Sequence, residues 1–391
     1  MKVIISNKGH PDYGTVAVPL PIPREQYDEI ITSLEKLNLG AVTDRDCHID
    51  AIINGPPLLQ KLVGTMGNID ELDYLAKRLD SYTPKELSTF QAMAEKYKCT
   101  DLADLINLSF DVDEAMVITD FSRMDEIGRD YLFLHSPAIS KEEMGALDLE
   151  QIGKDLIESG KGTMTPYGIL YDDSYDEENG FQAYNMESFP AYVYDCDVVV
   201  GVVSGFSGAT ESYLYLPAAD QQISRTLKRG NFSEGNYSLY IESSGFSRHV
   251  IDSLKPEEET AWALNEMIKA ITALTEKQRT MLDAVILYAQ PHGATQVKNL
   301  ALNLDLFEFQ PDVWDIETYG RTMIIESGDY KYDSELEKYI DFEAFGRDHM
   351  LWHEGRFTEL GYVGYCGNDR LDMLMEDNPQ QTTGQQMGGI S

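Results

Sequence analysis

Carboxylates are the side chains this sequence offers in quantity, and their number bears on whether any of them is set up for catalysis. Of 391 residues, 67 are Asp or Glu against 31 Lys or Arg, a formal net charge of −36. General acid–base work needs a pair of carboxyl groups set apart from the rest, and with so many present no pair stands out. His349 and His353 have the spacing of two metal ligands on one helix face, but Trp352 and Glu354 beside them fit no zinc signature. Asp172-Asp173-Ser174-Tyr175-Asp176-Glu177-Glu178 could attract divalent cations, yet it lacks the calcium-loop spacing with glycine sixth, and it reads as a solvated acidic linker. Ser159-Gly160-Lys161-Gly162-Thr163 lacks the first glycine of a phosphate loop, and Ser204-Gly205-Phe206-Ser207-Gly208 is not a nucleophile elbow. Cys47, Cys99, Cys196 and Cys366 lie far apart with no C-x-x-C, which argues against a zinc cluster and a disulfide framework. These residues offer no clear catalytic, metal or cofactor site. What is left is collective chemistry, a field of negative charge.

That field is unevenly laid out. Residues 1 to 100 hold 14 acids and 11 bases, and 101 to 200 hold 23 and 5. Residues 201 to 300 hold 11 and 9, and the rest 19 and 6, so a nearly neutral stretch is twice followed by a strongly acidic one. Like charges held together repel and destabilise a fold, so this concentration calls for a reason. Duplex DNA carries one charge per roughly 1.7 Å of axis, and 36 net charges at that density correspond to about 60 Å of duplex. A rigid acidic surface could occupy a groove built for DNA. Composition alone also fits an acidic protein with no such arrangement.

The elements that must hold the acids are signalled by a segment that recurs four times: Asp125-Glu126-Ile127-Gly128-Arg129-Asp130, Glu150-Gln151-Ile152-Gly153-Lys154-Asp155, Glu317-Thr318-Tyr319-Gly320-Arg321-Thr322 and Tyr339-Ile340-Asp341-Phe342-Glu343-Ala344-Phe345-Gly346-Arg347-Asp348. Each reads as a helix. Asp148, with Gln151 three residues on, and Asp341 are placed as N-caps. Leu149, Ile152 and Leu156 share one face, with Glu150 and Glu158 opposite. A helical glycine costs about 1 kcal/mol relative to alanine, so its recurrence predicts another backbone passing close by. Arg129, Lys154, Arg321 and Arg347 read as partners of neighbouring carboxylates.

Gly128 corresponds to Gly320 and Gly153 to Gly346, and the flanks agree: Thr83 with Thr275, Ala92 with Ala284, Asn107-Leu108 with Asn299-Leu300, Leu20-Pro21 with Leu216-Pro217, and Thr165-Pro166-Tyr167-Gly168 with Thr358-Glu359-Leu360-Gly361. A spacing near 190 residues is too long for a solenoid and implies two whole modules. Each opens with strands (Val3-Ile4-Ile5 and Thr15 to Val18; Val198 to Val200 and Tyr213 to Leu216). A helical stretch follows (Asp70 to Lys96; Glu257 to Leu287), then the acidic part, closed by Tyr167 to Tyr171 and Gly361 to Tyr365. The expected architecture is α+β, an elongated chain of two repeated modules at 1–173 and 192–368. An acidic, aromatic linker at 174–191 joins them, and a Pro-, Gln- and Gly-rich disordered tail follows at 369–391.

The segment Tyr339 to Asp348, followed by Gly355-Arg356-Phe357-Thr358, resembles the C-terminal signature of the ArdA antirestriction proteins. Leu20-Pro21-Ile22 is similar to that family's first domain, Ile69-Asp70-Glu71-Leu72-Asp73 to the entry of its helical middle, and Glu126 to Tyr131 to the helix after it. The resemblance implies a DNA mimic without catalysis that occupies the DNA-binding groove of a type I restriction–modification enzyme and protects the DNA of a mobile element or phage. It implies as partner the methyltransferase and specificity core, with no direct nucleic-acid binding. It also implies a homodimer of single modules, for which this tandem chain would be a covalent counterpart, acting as a pseudo-dimeric monomer or itself dimerising. Thr322, in place of the Asp130-type acid, departs from the pattern. The acids expected to stand in for phosphates are Asp111, Asp113, Glu114, Asp120, Asp125, Glu126, Asp130, Glu150, Glu158, Asp172 and Asp173 in the first module. In the second they are Asp305, Glu308, Asp312, Asp315, Glu317, Glu335, Glu337, Glu343 and Asp348. Other readings are a mimic acting on another DNA-directed defence system such as a CRISPR effector, an acidic metal-dependent enzyme, and a chaperone of basic proteins. Met1 to Ser6 is unlike a secretory signal and no stretch reaches the roughly 18 apolar residues of a spanning helix, so the location expected is cytoplasmic, with no membrane partner.

Overall fold

Val3 and Ile5 turn inward from strand β1 (Lys2–Ser6) while Lys2 points out, the period-two alternation of a half-buried strand. The computed structural model describes residues 1–172, 184, 188–204, 211–233, 235–352 and 354–376. Strand β1 lies between β2 (Thr15–Pro19) and β3 (Cys47–Ile53), antiparallel to both. With β4 (Met66–Gly67) they form a sheet of order β2-β1-β3-β4, and α1 (Tyr27–Glu35) follows β2 in the chain. The next three helices begin where side chains satisfy free first-turn amides. Asn68 caps α2 (Ile69–Asp80), a Thr83–Glu86 capping box opens α3 (Pro84–Lys96), and Asp101 caps α4 (Leu102–Leu108). Leu72, Leu75 and Leu79 are buried, as their helical spacing predicts, in a core shared with Ile5, Ile31, Phe90 and Ile106. Beyond it come β5 (Met116–Ile118), α5 (Met124–His135), α6 (Lys141–Gly145), α7 (Leu149–Glu158), β6 (Thr163–Thr165) and β7 (Gly168–Tyr171), with the antiparallel sheet β5-β7-β6.

The chain continues through β8 (Val198–Ser204), β9 (Glu211–Leu216), α8 (Asp220–Arg229), β10 (Tyr237–Ser244) and α9 (Arg248–Asp252), with the sheet order β10-β8-β9. Thr260 caps α10 (Ala261–Thr272), a Thr275–Gln278 capping box opens α11 (Glu276–Ala289), and α12 (Ala294–Leu302) follows. Then come β11 (Phe307–Pro311), α13 (Ile316–Arg321) running on into a π-helical turn (Thr322–Glu326), α14 (Phe342–Trp352), β12 (Arg356–Thr358), β13 (Gly361–Tyr365) and α15 (Leu371–Met375). The antiparallel order here is β11-β13-β12. The fold class is α+β with several small sheets, as expected.

Two compact units emerge. The first comprises Met1–Tyr194, Phe206–Tyr213 and Ala219–Gly235, and the second Asp195–Gly205, Leu214–Ala218 and the chain from Asn236 on. The units are therefore not uninterrupted stretches, because α8 belongs to the first. Its Arg225 bonds both oxygens of Asp70 at 3.0 and 2.9 Å and the Gly40 carbonyl at 2.7 Å, and Arg229 reaches Asp70 at 3.2 Å and Asn68 at 2.9 Å. Both guanidinium groups are nearly inaccessible, and pairing offsets the cost of burying them.

The stretch expected to link the modules holds a buried aromatic residue, and the one expected to be a disordered tail begins with a helix. In the presumed linker Tyr184 is buried, exchanging hydrogen bonds with Asn107 and donating to Glu71 at 2.8 Å, and Phe189 stacks on both Tyr184 and Tyr74. The presumed tail opens with α15, which buries Leu374, while Asn299 donates to the Met375 carbonyl at 3.2 Å. The remainder of both, residues 173–183, 185–187 and 377–391, lies outside the described residues. Among the described residues no helix is long and apolar enough to cross a membrane.

Candidate partner-binding faces

All four copies of the recurring segment are helical, and their glycines are where helices meet in pairs. In the first unit α5 crosses α7. A Cβ at Gly128 would lie 2.0 Å from the Leu149 carbonyl oxygen, and one at Gly153 would lie 2.2 Å from that of Met124. In the second unit α13 crosses α14, with Gly320 against the Phe342 carbonyl at 2.0 Å and Gly346 against that of Ile316 at 2.4 Å. The backbone approach expected from the glycines is therefore present, and each helix is the other's close neighbour. The expected caps are in place: Asp148 accepts from the Gln151 amide at 3.0 Å and Asp341 from that of Ala344 at 2.9 Å. Each pair is followed in the chain by the same turn. Thr165 Oγ1 donates to the Gly168 carbonyl and Thr358 Oγ1 to that of Gly361, both at 2.8 Å, and the two glycines have φ of 130° and 128°. Only glycine adopts such a backbone at little cost.

This scaffold leaves most of the predicted acids in solvent. In the first unit Asp113, Glu114, Asp120, Glu150 and Glu158 are exposed, and Asp125, Glu126 and Asp130 half-buried. In the second Asp305, Asp312, Asp315, Glu317, Glu335, Glu343 and Asp348 are exposed, and Glu308 and Glu337 half-buried. Exposure fails at two positions. Asp111 is buried at the end of the turn after α4. Asp172 takes Lys96 Nζ at 2.7 and 2.8 Å and the Tyr97 hydroxyl at 2.5 Å, its side chain 8% exposed, so it ties the end of β7 to α3. Asp173 lies outside the described residues.

Few cations reach these acids. Lys154 pairs with Glu150 at 2.5 Å and Arg347 with Glu343 at 2.5 Å, neighbours as expected, whereas Arg321 reaches Glu337, 16 residues on, at 2.8 Å and Arg129 has no ion pair among the described residues. Arg123 pairs with Glu126 at 2.6 Å, and Lys85, from α3, with Asp130. Asp113, Asp125, Glu158, Asp305, Asp312, Glu317, Glu335 and Asp348 have no ion pair among the described residues. Local hydrogen bonds reinforce the charge at two turns. The Ser122 amide and hydroxyl hold the Asp120 carboxyl below its usual range, and those of Thr318 do the same for Asp315. By contrast, Arg45 bridges two carboxylates at once, the buried Glu71 and the half-exposed Asp101.

One group has no sequence signal. Tyr319 donates to the Glu308 carboxylate at 3.3 Å and lies 2.9 Å from His349 Nδ1, with the Tyr362 ring 3.9 Å away. Burial first, and then neighbours including Glu308, push the Tyr319 phenol far above its ordinary pKa. The positions with the same spacing in the first unit, Met116, Ile127 and Leu156, form an apolar core instead. His349 thus faces a tyrosine, and His353 lies outside the described residues. Among the described residues no three His, Cys, Asp or Glu side chains converge as a metal site requires.

A protein-family model described as "Antirestriction protein (ArdA)" matches residues 216–364, which is under half of the chain but includes α13, α14 and the sheet beneath them. A search of curated proteins found no match. The matched family points to antirestriction, is not a family of enzymes, and suggests restriction enzymes in general as partners.

Proposed function

We propose that the chain is a DNA mimic of two ArdA-like modules, 1–173 and 192–368, that occupies the DNA-binding groove of a type I restriction–modification enzyme. The observation that carries this reading is the separation of charge by role. In the neutral parts Arg225 and Arg229 close on Asp70, and Arg45 on Glu71 and Asp101, whereas the crossed helix pairs carry Asp125, Glu158, Glu317 and Asp348 with no ion pair among the described residues. Phosphates along a duplex present the same thing to a protein, fixed anions without internal partners. The duplication is supported by two runs of like elements. Each has a sheet with its first strand central, three capped or packed helices, a glycine-crossed pair and a closing sheet whose last strand is central. The acids that carry the mimicry are those without an ion pair among the described residues, the exposed Asp113, Glu158, Asp305, Glu317 and Asp348 and the half-buried Asp125 foremost.

Competition tests it. The chain should displace duplex DNA from a purified type I methyltransferase and specificity core, with an affinity that falls steeply from about 50 to 200 mM salt, as phosphate contacts do. Simultaneous binding of chain and duplex, or an affinity indifferent to salt, would rule the mimic out.

A further inference from the structure

A purely electrostatic face needs no apolar surface, yet one stretch presents a good deal of it. Among the described residues seven large apolar side chains are more than half exposed: Met164, Val193, Leu302, Trp314, Leu336, Tyr339 and Leu351. Four of them fall in the 38 residues from Trp314 to Leu351, roughly a tenth of the chain. Single exposed apolar residues are ordinary, but four within one short acidic stretch is an uneven distribution that a role in docking would account for. The same stretch holds 10 acids and 4 bases.

These side chains sit on fixed supports. Trp314 follows the buried Val313 and precedes Asp315, the cap of α13. Its Nε1 donates to the Glu359 carbonyl at 3.3 Å, so its one polar atom is satisfied within the chain and the indole, 55% exposed, offers hydrocarbon. Tyr339, 75% exposed, closes the 3₁₀ turn Ser334–Tyr339 just before α14, and Leu351, 76% exposed, is in the last turn of that helix, which Gly346 seats against α13.

Charge alone attracts any cation, whereas Trp and Tyr set into an interface supply the contacts that choose a partner. We propose that Trp314, Tyr339 and Leu351 are apolar anchors, set among carboxylates, that dock on a cationic protein surface. Cationic side chains of the partner pair with acids such as Asp315, Glu317 and Asp348, and its apolar side chains and guanidinium faces receive the anchors. The acidic surroundings disfavour a nucleic acid or an anionic membrane as occupant. This deepens the mimic reading and rests on it.

The test uses the full chain and two probes, the purified type I methyltransferase core and poly-lysine, over a series of salt concentrations. A triple variant, Trp314→Ser, Tyr339→Ser and Leu351→Ser, should bind the core about tenfold or more weakly at every salt concentration, with the slope of log K against log salt unchanged. Its binding to poly-lysine should equal that of the unaltered chain, and its thermal melting should show that it folds. A second variant, Asp315→Asn, Glu317→Gln and Asp348→Asn, should flatten the slope instead. Undiminished core binding by the apolar variant would overturn the proposal, as would equal loss toward both probes. If sedimentation shows that the apolar substitutions dissociate a dimer of this chain while core affinity persists, the occupant is a second copy and the proposal also fails. No binding of the unaltered chain to the core would overturn the functional reading and the anchors with it.

Discussion

Asp172 and Asp113 look alike in the sequence, two acids within strongly acidic stretches, and the structure gives them opposite work. Asp172 is enclosed by Lys96 and Tyr97, so it is part of how β7 is tied to α3. Asp113 is exposed and forms no ion pair among the described residues. Replacing Asp172 with Asn removes the negative charge opposite a part-buried ammonium, and hydrogen bonds to charged groups contribute about 1.5 to 3 kcal/mol. Asp113→Asn should stay within about 0.5 kcal/mol, the usual range for surface changes. Denaturant unfolding of the two variants would show the difference. Equal midpoints would mean that burial does not separate structural acids from functional ones. Nothing local to either residue makes this distinction, since solvent exposure depends on which side chains the fold brings over a carboxylate, and Lys96 lies 76 residues from Asp172.

At the level of elements the glycine crossings can be weighed against helix propensity. Alanine at Gly128 or Gly320 would gain up to about 1 kcal/mol of helix preference. It would also place a Cβ 2.0 Å from a backbone carbonyl oxygen that no rotamer change can move aside. Overpacking of this kind typically costs about 1 to 3 kcal/mol and occasionally more, so the clash wins and both variants should melt earlier. Gly145 in α6 has nothing within 4 Å of an added Cβ, and there the same change should be neutral or stabilising by a few tenths of a kcal/mol, on the order of a helix-end propensity. A melting series of the three substitutions checks the sign at each position; stabilisation at Gly128 or Gly320 would contradict the crossing. These crossings were legible because glycine inside a helix is costly and recurs only where something requires it. The caps at Asp148 and Asp341 were legible for a similar local reason. The Glu308–Tyr319–His349 group was not, because its members lie apart in the chain and the residues at the same spacing in the first unit are apolar. Nor was the docking of α8, which depends on Arg225 and Arg229 meeting Asp70 more than 150 residues away.

For the molecule as a whole, the acids that suit the proposed function work against the fold. Eleven of the predicted acids have no ion pair among the described residues, and a surface of unpaired like charge repels itself. Neutralising Asp113, Asp125 and Glu158 in the first unit, or Asp305, Glu317 and Asp348 in the second, should therefore raise the melting temperature at low salt. Added salt should shrink the gain, because the Debye length falls from about 30 Å at 0.01 M to about 3 Å at 1 M. The same substitutions should weaken binding to the methyltransferase core in steps, each removed charge lowering the slope of log K against log salt by roughly one. Stability and binding would then move in opposite directions across one set of variants, as a surface kept for a partner and not for the fold would behave. If binding collapses with a single substitution and the rest change nothing, the acids do not act as a field, and one local site must account for the interaction. If melting temperatures fall instead, the exposed acids are holding the fold together through contacts of their own, and the separation of structural from functional carboxylates is wrong.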